Sequence, residues 1–168
     1  MKKVIVMLFA LVSSLSAFSQ GKDVVDIAIG SANHTTLVAA IKAADLVSTL
    51  KSKGPFTVFA PTNAAFNKLP DGTLEDLLKP ENKAQLVKIL TYHVVSGNLD
   101  AAAVIAAIKS GNGKAVLTTV SGGKLIGSLD MGKVKLTDES GNSVYVTATD
   151  LKGTNGVVHV IDGLVLPK

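Results

Sequence analysis

The residues able to do chemistry in this chain are few. There are three histidines, His34, His93 and His159, scattered serines and aspartates, and no cysteine. The histidines lie far apart, and no Asp or Glu stands one helical turn from any of them on a helix, so the spacing of a metal site is missing. A serine hydrolase needs its nucleophile on a sharp, exposed elbow, and no G-x-S-x-G occurs. Ser31, Ser121, Ser128 and Ser140 each adjoin a glycine and read as turn residues, as do Asp71, Asp130 and Asp162, which precede or closely approach one. No carboxylate pair is presented on an identifiable catalytic face. Gly111-Asn112-Gly113 follows a helix instead of opening one, so it is no phosphate loop. Nothing in these patterns calls for a cofactor or a metal.

Each histidine also has a structural reading. His93 falls on the apolar face of a predicted helix beside Tyr92, where an imidazole is expected to be buried and bonded to backbone. His159 lies mid-strand, and period 2 places it with Val157 and Ile161. It either faces inward and is hydrogen-bonded, or lines a groove. His34 precedes a helix and is expected to be a solvated loop residue.

These side chains must be positioned by one domain, since 168 residues are hardly enough for two. Hydrophobic content is 47% but aromatic content only 4%, so the core must be built from Val, Leu, Ile and Ala. All 17 basic residues are lysine, and the formal charge is +4. Without arginine there is no bidentate fork for phosphate or guanine, and the lysines are not interleaved with aromatics. Nucleic acid is therefore not an expected partner, despite a pI near 9.3. Residues 1–19 have the pattern of a secretory signal peptide: Lys2 and Lys3, the apolar run Val4–Val12, then Ala17-Phe18-Ser19 at the expected cut. The run is too short to span a bilayer, which takes about 20 residues, and no later segment is longer. The mature chain is expected to be exported and without a transmembrane segment.

The stretch Gly54–Phe66 reads as a buried strand that stops at Pro61 and turns at once into a helix capped by Thr62. Phe56, Val58 and Ala60 point one way, Thr57 and Phe59 the other. Before it, residues 23–34 form a short helix or extended lead-in. Leu37, Ile41, Ala44, Val47 and Leu50 then make the apolar face of a single helix, capped by Thr35 or Thr36. After it, Thr73 with Asp76 resembles a capping box, a helix runs from about Asn82 to Gly97, and Asp100 caps another over Ala101–Lys109. From Lys114 the period changes from about 3.6 to 2. Strands are expected at Ala115–Val120, Lys124–Leu129, Lys133–Thr137, Val144–Thr149, Val157–Ile161 and Leu164–Leu166, paired antiparallel. Helices grouped first and strands second mean α+β.

The segments GPFTVFAPTNAAF (residues 54–66), YHVV (Tyr92–Val95) and NGVVHVIDGLVLP (Asn155–Pro167) resemble, in order and spacing, the signature segments of the fasciclin domain. The likeness covers residues 23–168. Its signature positions are Phe56, Val58, Phe59, Pro61, Thr62, Asn63 and Phe66 in the first segment, and Asn155, Gly156, His159, Ile161 and Asp162 in the last. The resemblance implies a wedge of antiparallel β-strands with a helical layer formed mainly by the N-terminal half, the opening and C-terminal strands lying near each other. It implies an exported adhesion or surface-interaction module, not an enzyme, whose partner is a surface protein, matrix component or polysaccharide. By the same resemblance, Tyr92 and His93, and Asp150 with Leu151, are the interaction positions. Leu151 stands where adhesive animal members carry Ile. The alternatives are a glycan- or small-molecule-binding module with a groove near His93 and Tyr92, and a weak hydrolase dependent on His159.

Overall fold

The computed structural model describes residues 21–168, so the expected leader lies outside the described residues. Seven strands form one sheet in the order β2-β1-β7-β6-β5-β4-β3. They are β1 (Phe56–Pro61), β2 (Val94–Ser96), β3 (Lys114–Thr118), β4 (Lys124–Asp130), β5 (Lys133–Thr137), β6 (Ser143–Gly153) and β7 (Gly156–Ile161). The α+β class and the mainly antiparallel wedge are as expected, with one difference. β1 and β7 pair parallel, with Val58 opposite Val158 and Phe59 opposite His159. A parallel pair suits strands buried on both faces. Five of the six residues in each are buried.

The alternation predicted for β1 divides the interior. Val58 and Ala60 enter a cluster with the N-terminal helices, while Phe59 enters a second with α7 (Ala101–Ser110) and the inner faces of β3–β6. The β1–β7 pair is thus the wall between two cores.

Around it stand α1 (Val24–Ile29), α2 (Thr35–Ala43), α3 (Val47–Leu50), α4 (Asn63–Phe66), α5 (Thr73–Leu77) and α6 (Lys83–Tyr92). The single helix expected over Leu37–Leu50 is two, because Asp45 adopts a positive φ of 55° and breaks the ladder. Neither Thr35 nor Thr36 caps α2. The Asn63 carboxamide oxygen does so from 27 residues away, accepting from the Thr36 N–H at 3.0 Å. Thr73 makes no capping box, since Gly72 occupies the cap position. Thr62 and Asp100 do cap, accepting from Ala65 N–H (3.2 Å) and Ala103 N–H (2.8 Å).

The helix expected to reach Gly97 ends at Tyr92, and Val94–Ser96 is strand β2, antiparallel to β1. The apolar face merges into a strand pattern too short to read as one. Leu164–Leu166 forms no strand, although Val165 is fully buried. The edge strands β2 and β3 meet at a bridge between Val95 and Thr119, so the sheet curls toward closure and its edges are partly covered.

Candidate interaction site at the bulged end of strand β6

β6 holds the expected pair Asp150–Leu151, which the sequence pattern left in a loop. The strand instead runs on to Gly153 with register shifts between Val146 and Ala148 and between Ala148 and Leu151. Bulges turn residues 147–152 outward, leaving all of them exposed. Asp150 has a positive φ of 61°, a conformation that Asp tolerates better than most residues. Its carboxylate accepts from the Ala101 N–H at 2.8 Å, tying the bulge to the first turn of α7. Its own N–H donates to His159 Nδ1 at 3.3 Å. Leu151 is 40% exposed, an apolar side chain held outward on a fixed backbone.

Behind the bulge, His159 is only 2% exposed. Its Nε2 lies 2.7 Å from the Leu99 carbonyl oxygen and its ring stacks on Phe59, centroids 5.6 Å apart. With Nδ1 accepting from Asp150, Nε2 carries the proton and donates to Leu99. The crevice between His159, Phe59, Val104 and Val146 has a volume of about 10 Å³, room for at most one water. His159 is therefore turned inward and hydrogen-bonded, the first of its two expected settings. Beside it, Thr57 donates to the Gly97 carbonyl oxygen (2.7 Å) and accepts from Leu99 N–H (2.9 Å).

The other expected interaction pair lies elsewhere and is withdrawn from solvent. Tyr92 is 0% and His93 2% exposed. The Tyr92 hydroxyl donates to the Lys124 carbonyl oxygen at 2.7 Å and accepts from Glu139 N–H at 3.2 Å. Burial pushes its pKa up, and the nearby Glu139 and Asp138 charges add to this. His93 Nδ1 lies 2.9 Å from the Ile89 carbonyl oxygen and donates to it, while Nε2 accepts from Val165 N–H at 3.2 Å. Burial lowers its pKa to about 4, the Ile89 bond opposing the shift in part. His34, expected in solvent, is instead buried in the turn before α2. Its Nδ1 meets Ser31 Oγ at 2.7 Å, and among the described residues its buried Nε2 has no hydrogen-bond partner. Burial lowers its pKa too.

Two structural residues carry more than their motif signalled. The Asn155 side chain donates to the Leu50 and Ser52 carbonyl oxygens (2.7 and 3.0 Å) and accepts from Val24 N–H (3.0 Å), lashing α1 and α3 to the β6–β7 hairpin. Asp138, just before the turn at Ser140-Gly141-Asn142, is 4% exposed and accepts from Ser140, Asn142 and Leu166 N–H groups. Among the described residues no cluster of His, Asp and Glu could hold a metal ion, and no helix is long and apolar enough to cross a membrane.

Fold and signature positions together define a protein class. The fasciclin domain profile matches residues 32–167, and the chain belongs to that family. It is 48% identical to Protein sll1483 of Synechocystis over 93% of this chain and 79% of that one. It is 35% identical to immunogenic protein MPB70 of Mycobacterium bovis over 88% of this chain and 72% of the relative. Pig transforming growth factor-beta-induced protein ig-h3 is 37% identical over 86% of this chain, which spans only 19% of that protein. Among solved structures, a FAS1 domain pair from the insect cell adhesion molecule fasciclin I superposes with a TM-score of 0.76 at 17% identity. The match covers 86% of this chain and 51% of that one, a likeness of fold alone.

Proposed function

We propose that this protein is an exported, non-enzymatic interaction module that attaches to a surface or matrix component through the bulged end of β6. The observation that carries this reading is the display of Leu151 and Asp150. An apolar side chain and a carboxylate stand in solvent on a backbone pinned by α7 and His159. Rigid presentation lowers the ordering cost of binding. The fasciclin-family match supports adhesion, and the leader-like residues 1–19 support export. The polar atoms of His93, His159 and Tyr92 are occupied by backbone partners, which favours a scaffolding role for them over catalysis.

The test is a cell- and matrix-adhesion assay of the purified protein beside Leu151→Ser and Asp150→Ala. Adhesion should fall about tenfold in Leu151→Ser with the melting temperature preserved, as for a central apolar anchor. No adhesion by the unaltered protein, or unchanged adhesion in both variants, would sink the reading. So would turnover of acyl-ester reporters that His159→Ala abolishes.

A further inference from the structure

We infer that the cleft beside this site binds an anionic polysaccharide, gripped by Lys53 and Lys152. The inference rests on the reading of the protein as a surface-interaction module and names the class of its partner. The cleft opens between the loop of residues 51–55 and the β6–β7 hairpin, with Asn98 between them, and has a volume of about 510 Å³. That is within the range of about 300–1,000 Å³ typical of ligand sites. Among the described residues, three lysines line it, Lys51, Lys53 and Lys152, and no acid does. Lys51 is committed to Asp23 and Asp26 at 2.8 and 2.6 Å. Among the described residues, Lys53 and Lys152 enter no ion pair, so two cations face one opening unneutralised.

The walls are fixed before any ligand arrives. Asn155 bonds across to Leu50 and Ser52, its carbonyl oxygen accepts from Phe56 N–H at 3.0 Å, and the Pro55 carbonyl accepts from Gly97 N–H at 3.0 Å. A Cβ on Gly54 would collide with the Asn155 carbonyl oxygen, and one on Gly156 with that of Phe56, so both glycines are required by close backbone approach.

The lining also selects among anions. Lysine ammonium groups attract carboxylate or sulfate as point charges, without the planar fork of arginine. Ser52, Asn98 and Thr154 add neutral hydroxyl and amide groups suited to sugar hydroxyls. Among the described residues no aromatic lines the cleft, and so none there offers the stacking platform that single-stranded nucleic acids and neutral sugars use. What fits is a saccharide polymer that brings its own charge.

The experiment is calorimetric titration of the protein with oligogalacturonate, sulfated dextran and maltohexaose. Both charged oligomers should bind, or one of them should, which then identifies the anion; maltohexaose should not. Raising ionic strength from about 0.01 M to about 1 M shortens the Debye length from about 30 to about 3 Å and should abolish the heat. Lys53→Glu with Lys152→Glu should weaken binding about tenfold or more, while Lys114→Glu with Lys133→Glu, on β3 and β5, should leave it unchanged. If charge reversal lowers the melting temperature, Lys53→Gln with Lys152→Gln takes its place, with the same loss expected. Equal binding of maltohexaose, an unaffected cleft variant, an equally weakened control or no binding at all would each overturn the inference. Adhesion that survives the cleft variant but not Leu151→Ser would overturn the cleft and keep the module. Oligomer binding without adhesion would do the reverse.

Discussion

At the scale of single residues, the histidines act as buried fasteners, and their burial has a pH signature. His93 is neutral in the fold, with a pKa lowered to about 4 from 6.5 by loss of water. The unfolded chain therefore binds more protons than the native one between these two values. The stabilisation is complete above pH 6.5 and is lost as pH falls toward 4, amounting to about 3 kcal/mol at about 1.4 kcal/mol per pH unit. His34, lowered in the same direction by burial, adds loss of the same sign. Asp26, lowered mainly by its hydrogen bond to Lys51, acts in the same sense at still lower pH. Urea unfolding at stepped pH should show this decline, and a flat profile between pH 7 and about 4 would mean that His93 is not buried neutral. The burial of His93 was legible from its place on an apolar helix face, and period 2 gave the strand face of His159 but left its inward setting for the structure to decide. His34 was not, because the turn that buries it is made by contacts with β1 and α4, distant in sequence.

At the scale of elements, strands β3, β4, β5 and β7 and helix α7 follow their sequence periods closely. What the periods did not reveal is where one element ends on account of another. α2 begins where Asn63, on α4, supplies an acceptor to Thr36 N–H, accepts also from the Thr35 hydroxyl (3.2 Å) and donates to the Ala32 carbonyl oxygen (3.1 Å). Asn63→Ala should cost about 1–2 kcal/mol, the loss of a helix cap, although it lies 27 residues from the helix it caps. Thr35→Val should cost much less. Equal losses in chemical denaturation would argue for an ordinary local cap. The double bulge of β6 belongs to the same category. Thr147 to Lys152 reads as the end of a strand and a loop, whereas pairing with β7 draws it into the sheet and twists it outward.

At the scale of the whole molecule, one parallel strand pair separates two cores, and the C-terminal tail seals one end of both. Val165 is fully buried, its N–H reaches His93 Nε2, and Leu166 N–H reaches Asp138. Truncation after Asp162 removes a buried valine worth about 1.5–3 kcal/mol and two hydrogen bonds of about 1 kcal/mol each. The expected loss of about 4 kcal/mol is a large share of a typical domain stability of about 5–15 kcal/mol. The truncated chain should unfold at much lower urea. An unchanged midpoint would mean that the tail contributes only surface.

The sequence by itself determined the family, through the resemblance of three signature segments in order, and also the α+β class and the alternating faces of β1. The class and the faces are local properties, carried by residue type and by periods of 2 and about 3.6. Only the tertiary structure decided that β1 and β7 run parallel, that YHVV crosses from helix to strand, and that Asp150 and Leu151 stand outward beside a lysine-lined cleft. Each of these depends on which backbone N–H and C=O groups find partners far along the chain. Strand pairing, unlike side-chain alternation, is not written in any window of neighbouring residues.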